Sequence, residues 1–149
     1  VNFKNLHVLT DYFQQAHMRT AGGQVRHIIL SEEGFTSDSI SRGKVYDIQA
    51  AAFAYAYYLV DNNPYIDAFI LNRQVDAITE VETSCAFGLW TVDMSRPDKV
   101  IAVMPKNIYQ VFKHIDTRKS LRYSEFAKSI VGISDWSEVI PGFDPEKYQ

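Results

Sequence analysis

The hydrophobic pattern of this chain alternates between helical spacing and short, continuously apolar runs. Over residues 5–19 apolar side chains recur every three or four positions, which predicts an amphipathic helix. Gly22 and Gly23 follow, and glycine commonly lies just beyond the end of a helix. Residues 25–32 have an uninterrupted apolar centre at Ile28, Ile29 and Leu30, which predicts a strand buried on both faces, as in a parallel sheet.

A second helix and a second strand follow in the same order. Residues 33–45 are rich in Gly, Ser and Thr and predict a loop. Asp47 is predicted to cap a long helix over residues 48–61, whose alanines permit close packing against a sheet. Residues 66–72 again have an apolar centre and predict a strand. The order helix, strand, helix, strand predicts consecutive βα units with parallel strands.

The remainder of the chain is predicted to be mostly helical. Residues 100–103 predict a short third strand, and residues 107–115 and 124–131 predict two further helices. The aromatic C-terminal tail, which includes Trp136, is predicted to be anchored on the core. Neither a repeat nor a linker interrupts the pattern, so we expect one α/β unit over residues 1–149.

Composition restricts the class of protein. The 149 residues are 46% hydrophobic and 22% charged, which is typical of a globular domain and excludes disorder. A net charge of −3 gives no reason to expect nucleic acid as a partner. The longest apolar stretch, residues 50–60, is too short to cross a bilayer, which needs roughly 20 residues. No signal peptide is visible before the first helix, and the localisation stays open.

Polar side chains follow both predicted strands, where ligands bind in parallel α/β folds. Glu32 and Glu33 end the first strand. A second polar cluster follows the other strand: Asn72, Arg73, Gln74 and Asp76. Because parallel neighbours end at the same edge of a sheet, we expect a carboxylate, a cation and two amides around one opening. Such a set of donors and acceptors suits a polyhydroxylated ligand.

Each of these residues also has a structural interpretation. Acids at the ends of strands are often simply solvated, and Arg73 could pair with Glu32 to hold the loops together. Trp90 could stack on a sugar ring or fill the core under a loop. The four histidines have no metal-ligand spacing, so neither a metal nor another cofactor is expected.

The segment of residues 28–35 resembles the seventh strand of the retaining glycoside hydrolases of clan A. In that clan the strand ends with a small polar residue, the nucleophilic glutamate, any residue and often glycine, as do Ser31, Glu32 and Gly34. More narrowly, nearly the whole chain resembles the C-terminal part of a poorly characterised bacterial family of glycoside-hydrolase-like (β/α)8 TIM barrels. The supporting segments are residues 26–35, 49–52, 66–76, 88–90 and 111–116.

The resemblance implies that residues 28–32 and 66–72 are strands seven and eight, with Glu32 as the nucleophile. Glu33 is the competing candidate, because a bulge before Gly34 would change which acid faces the site. A retaining mechanism needs a second carboxyl group about 5 Å away, which in that clan ends the fourth strand. No such strand is recognisable here, so we expect the chain alone to be inactive.

Length decides how much of such a barrel is present. A complete barrel needs roughly 250 residues, so 149 residues are expected to be its C-terminal portion. Its expected partners are a carbohydrate substrate and the missing N-terminal part of the barrel, or a second copy of the chain. Two alternatives remain: a non-catalytic carbohydrate-binding barrel, and a small α/β domain that binds a ligand or a partner.

Overall fold

The computed structural model describes residues 2–149, which form a mixed α/β protein with three two-stranded sheets and five α-helices. The helices are α1 (Leu6–Phe13), α2 (Tyr46–Asp61), α3 (Ile78–Val81), α4 (Asn107–His114) and α5 (Ser120–Val131). The strands are β1 (Ile28–Glu33), β2 (Asp38–Ser39), β3 (Gly43–Lys44), β4 (Ile66–Leu71), β5 (Trp90–Val92) and β6 (Ala102–Pro105).

The central feature is a parallel pair of strands, β1 and β4, joined through α2. Ile28 lies opposite Ile66 and Leu30 lies opposite Phe69 in this ladder. The prediction of two parallel strands separated by a helix is therefore confirmed. The other two sheets are antiparallel hairpins, β2 with β3 and β5 with β6. The predicted third strand lies slightly later than expected, because Ala102 pairs with Val92.

Several helix boundaries differ from the predictions for local reasons. The first predicted helix is shorter, because α1 ends at Phe13 and only a 3₁₀ turn follows at Ala16–Met18. The prediction that Asp47 is an N-cap is wrong: α2 begins at Tyr46, so Asp47 lies in its first turn. There Asp47 accepts a 2.9 Å hydrogen bond from the backbone N–H of Ile48.

The main hydrophobic core lies between α2, α4, α5 and the C-terminal tail. Trp136 and Ile140 are almost fully buried in it, which confirms the predicted anchoring of the tail. The alanines of α2 allow close approach, and Tyr58 packs its ring 4.9 Å from that of Trp136. The Tyr58 hydroxyl lies 2.8 Å from Oγ of both Ser120 and Ser124, so its polar end is satisfied.

The β1–β4 sheet is covered on one face only. Leu30 and Ile66 pack with Leu6 of α1 in a second small core. On the opposite side Ile29 is 60% exposed and Ile70 is 52% exposed. The expectation of strands buried on both faces is therefore wrong for this chain. We call the side that carries Ile29 and Ile70 the open face.

Two further observations concern membranes and metals. Within residues 2–149, no helix combines the length and the apolar character needed to cross a bilayer. In the same part of the chain, no three His, Cys, Asp or Glu side chains are grouped closely enough to hold a metal ion.

Candidate functional site

The carboxyl ends of β1 and β4 meet, as the sequence predicts. The backbone N–H of Asn72 donates a 2.7 Å hydrogen bond to the carbonyl oxygen of Glu33. Gly34 permits this approach, since a Cβ atom there would lie 2.9 Å from the carbonyl oxygen of Asn72 and 3.0 Å from the ring of Phe87. The two polar clusters of the sequence therefore lie side by side.

A bulge in β1 separates the environments of Glu32 and Glu33. The ladder is irregular between Leu30 and Glu33. After the bulge, Glu33 shares a groove of about 160 Å³ with Leu30 and Leu6 on the covered face. Glu32 is exposed, and because neighbouring strand residues alternate in direction, it belongs to the open face. Regular strand alternation predicts that Ile28, Leu30 and Glu32 share one face, and the bulge makes this prediction wrong.

Burial also changes the electrostatics of Glu33. Partial burial raises the pKa of Glu33, because the apolar groove disfavours its charged form. Glu32 is exposed to solvent at the same strand end. The bulge thus leaves one of the two carboxylates accessible on the open face.

Arg73 binds a different carboxylate from the one that the sequence suggested. Its Nη2 lies 2.9 Å from Oε1 of Glu80, and its Nε donates to Oδ1 of Asn72 at 3.2 Å. The alternative of an ion pair between Arg73 and Glu32 is wrong. Because the guanidinium has five N–H donors, several remain for a ligand while Glu80 and Asn72 fix its orientation.

Three of the predicted binding residues line one groove beside the end of β4. Its volume is about 300 Å³, and its lining combines Arg73, Gln74 and Trp90 with the hydrophobic side chains Leu71, Leu89, Tyr109 and Phe112. Glu32, Asn72 and Asp76 are outside this lining. Trp90 is the first residue of strand β5. Its ring packs edge-on against that of Tyr109, with 5.2 Å between the ring centroids. A planar aromatic wall next to amide and guanidinium donors suits a sugar ring.

Main-chain hydrogen bonds join the two segments that form this groove. We call residues 73–74 the Arg73 arm and residues 88–90 the Trp90 arm. Leu89 donates to the carbonyl oxygen of Arg73 at 3.1 Å, and Trp90 donates to that of Gln74 at 3.0 Å. Gly88 is essential to this contact: a Cβ atom would lie 2.3 Å from the backbone nitrogen of Asp76. The Gly88-Leu89-Trp90 motif is therefore one arm of the groove.

Asp76 is outside the groove lining and forms a buried ion pair. Its Oδ1 is 2.6 Å from Nζ of Lys106, and the two side chains are only 4% and 0% exposed. The same oxygen accepts a 2.7 Å hydrogen bond from the backbone N–H of Gly88. Burial lowers the pKa of Lys106, while the hydrogen bond to Asp76 opposes that change. Ligand binding by Asp76 stays a prediction.

Sequence reasoning missed several residues of this region. Tyr109 and Phe112 are three positions apart on α4 and so share a helix face, which is a signal in the sequence. Lys106 and Ser37 gave no signal, because their contact joins loops distant along the chain. Gln49 of α2 is also buried, and its Nε2 donates to the carbonyl oxygen of Phe35 at 2.8 Å.

Fold and groove together define an α/β protein with a polar and aromatic groove beside the carboxyl end of β4, one of its two parallel strands. A model described as "Family of unknown function (DUF5722)" matches residues 1–139, and the chain belongs to that family. Comparison with curated proteins and with solved structures found no match.

Proposed function

We propose that this chain is the C-terminal part of a (β/α)8-barrel glycoside hydrolase of the retaining type. The observation that carries the proposal is the position of Glu32, an exposed carboxylate on the open face at the carboxyl end of a parallel strand. In (β/α)8 barrels the catalytic groups lie at that end of the strands. The resemblance of residues 28–35 to a nucleophile-bearing strand agrees with this position.

The β1–β4 pair supports the barrel assignment. Helix α2 connects two parallel strands and packs on one face of them, while Ile29 and Ile70 remain exposed on the other. In a closed barrel that second face is the packed interior. Each strand also has an edge without a strand partner within residues 2–149, where a further strand could pair.

In the proposed mechanism Glu32 attacks the anomeric carbon of a bound glycoside. The glycosidic oxygen leaves with a proton from a second carboxylic acid, and a covalent glycosyl-enzyme results. Water then attacks the same carbon, with the second carboxylate as base, and releases Glu32. We assign the second carboxyl group to no residue of this chain, and we expect the chain alone to be inactive.

The groove beside β4 would hold the sugar. Trp90 offers its ring to a sugar face, while the free N–H groups of Arg73 and the amide of Gln74 bind hydroxyls. Asn72 orients Arg73 through the 3.2 Å hydrogen bond between their side chains. The partner that completes the barrel is its N-terminal part, or a second copy of the chain.

A mechanism-based inhibitor gives the sharpest test of the nucleophile. A polypeptide that carries the complete barrel should form a covalent adduct with a 2-deoxy-2-fluoroglycoside, and peptide mass spectrometry should place the adduct on Glu32. Glu32→Gln should abolish both the adduct and the hydrolysis of aryl glycosides, whereas Glu33→Gln should retain them. Hydrolysis that survives Glu32→Gln would overturn the assignment.

A non-catalytic carbohydrate-binding barrel is the second candidate. It is favoured by one observation: Glu32 is not part of the groove that contains Arg73, Gln74 and Trp90. In that case Trp90→Ala should abolish binding of oligosaccharides in calorimetric titrations, while Glu32→Gln changes nothing. Adduct formation on Glu32 would exclude this candidate.

A further inference from the structure

Lys106 makes the most deeply enclosed ionic contact of the groove region. Its Nζ donates to Oδ1 of Asp76 at 2.6 Å, to Oγ of Ser37 at 2.9 Å and to the carbonyl oxygen of Ala86 at 3.1 Å. Three hydrogen bonds satisfy the three N–H donors of an ammonium group. The side chain therefore connects the segments that follow β1 and β4 with the segment that precedes β5.

The main chain of Lys106 reaches the groove directly. Its backbone N–H donates to the carbonyl oxygen of Leu89 at 2.9 Å, and Leu89 in turn donates to the carbonyl oxygen of Arg73 at 3.1 Å. Asp76 extends the connection, because its backbone N–H donates to the carbonyl oxygen of Trp90 at 3.0 Å. Both hydrogen bonds end on the arm that carries Leu89 and Trp90, while Asp76 continues the chain segment of Arg73 and Gln74, so the ion pair joins the two arms.

We propose that Lys106 is a positioning residue for the groove. Acting through Asp76, it holds the Trp90 arm against the Arg73 arm, so that the aromatic wall and the polar donors face one ligand. The identity of the ligand rests on the proposed function, whereas the positioning of the two arms by Lys106 does not. Lys106 is itself outside the groove lining, so its influence on a ligand would be indirect.

The alternative is that Lys106 merely stabilises the fold. Its location argues for a local role: the main core lies among α2, α4 and α5, whereas the three hydrogen-bond partners of Nζ are all in loop segments. The two tryptophans separate these possibilities, because Trp136 reports on the core and Trp90 reports on the groove.

The experiment compares Lys106→Met with Lys99→Met, an exposed lysine in the β5–β6 hairpin, by two-dimensional NMR. In Lys106→Met the Trp90 indole signal should move, and the nuclear Overhauser effect between the Trp90 and Tyr109 rings should fall severalfold. The Trp136 indole signal should stay in place, which demonstrates an intact core. Lys99→Met should match the parent protein in both indole signals and in the nuclear Overhauser effect.

A milder variant covers the case in which Lys106→Met does not fold. Ser37→Ala removes one of the three partners of Nζ, and it should change the Trp90 signals in the same direction but less. If neither variant alters the contact between Trp90 and Tyr109, or if Trp136 changes as much as Trp90, the proposal is overturned.

Oligosaccharide titration then separates the two proposals. Lys106→Met should weaken binding about tenfold or more, because a loosened groove loses preorganisation. If the parent protein binds no oligosaccharide but Lys106→Met still releases Trp90, the carbohydrate function fails and the role of Lys106 stands. If Lys106→Met binds as tightly as the parent and keeps the ring contact, the positioning role fails and the carbohydrate function stands.

Discussion

Glu33 lies opposite Leu71 in the parallel ladder, one residue further along β1 than a regular ladder counted from Leu30 and Phe69 would place it. This bulge decides which of two consecutive acids is available for chemistry. Without it, Glu33 would be on the open face and Glu32 would be in the apolar groove with Leu30. One extra residue in a strand therefore determines the candidate nucleophile.

The partial burial of Glu33 leads to a prediction about stability and pH. Because its pKa is raised in the folded state, the folded protein holds this proton more tightly than the unfolded chain does. The stabilisation of the folded state by this proton is fully present below the ordinary pKa of 4.5, and it is lost as the pH rises through the raised pKa. Glu33→Gln should thus be more stable than the parent at pH 7, by less than about 1 kcal/mol because water screens the group.

Thermal unfolding at pH 7 and below pH 4.5 measures this difference, which should disappear at the lower pH. Glu32→Gln is the matched control, because Glu32 is exposed and its replacement should change stability by no more than about 0.5 kcal/mol. A Glu33→Gln variant less stable than the parent at pH 7 would contradict the prediction.

The Lys106–Asp76 ion pair predicts a strongly non-additive mutant cycle. Lys106→Met leaves the carboxylate of Asp76 buried without its cation, which should lower the free energy of unfolding by about 3–5 kcal/mol. The double variant Lys106→Met/Asp76→Asn should recover part of this loss, because the introduced amide oxygen can still accept from Gly88 without a buried charge. Urea unfolding gives the four free energies, and simple additivity would argue against a coupled pair.

The buried hydroxyl of Tyr58, which links α2 to α5, should contribute measurably to stability. Tyr58→Phe removes the common partner of Ser120 and Ser124, which are both fully buried, and should destabilise the protein by about 1–3 kcal/mol. Tyr57→Phe should change little, since within residues 2–149 the Tyr57 hydroxyl makes no hydrogen bond with another side chain. Chemical denaturation of both variants tests the contrast, and equal effects would refute it.

The close approach of the backbone at Gly88 leaves no room for a side chain, so we expect any larger residue there to be destabilising. Gly88→Ala would bring a Cβ atom to 2.6 Å from the carbonyl carbon of Val75, so the two arms must separate. We expect a loss of more than about 3 kcal/mol in stability and a loss of groove geometry. Gly22→Ala is the control, because its nearest contact would be Thr20 Oγ1 at 3.9 Å. Comparable melting temperatures for the two variants would contradict this account.

Elements with strong local periodicity could be predicted from the sequence. The apolar centres of β1 and β4 and the long alanine-rich α2 are clear in the pattern, and their order alone implied parallel pairing. The β2–β3 hairpin escaped prediction, because two-residue strands carry too few side chains for a period. The sequence predicted the start of α2 two residues too late. Asp47 lies in the first turn of the helix, where it accepts from the backbone N–H of Ile48, and it does not cap the helix.

The candidate site divides in the same way. The sequence located Arg73, Gln74 and Trp90, and the structure places these three residues in one groove. It gave no sign of Lys106, whose partners lie 20 to 69 positions away along the chain. It also could not decide between Glu32 and Glu33, because a bulge depends on how two strands align and not on either strand alone.

The sequence by itself determined the α/β class, the parallel strands and the polar clusters at their ends, because periodicity and strand polarity are properties of the chain. Only the tertiary structure decided which acid is exposed, where Arg73 finds its carboxylate and why Asp76 is enclosed. Those outcomes depend on register and on contacts between distant segments, which close packing fixes only when the chain has folded.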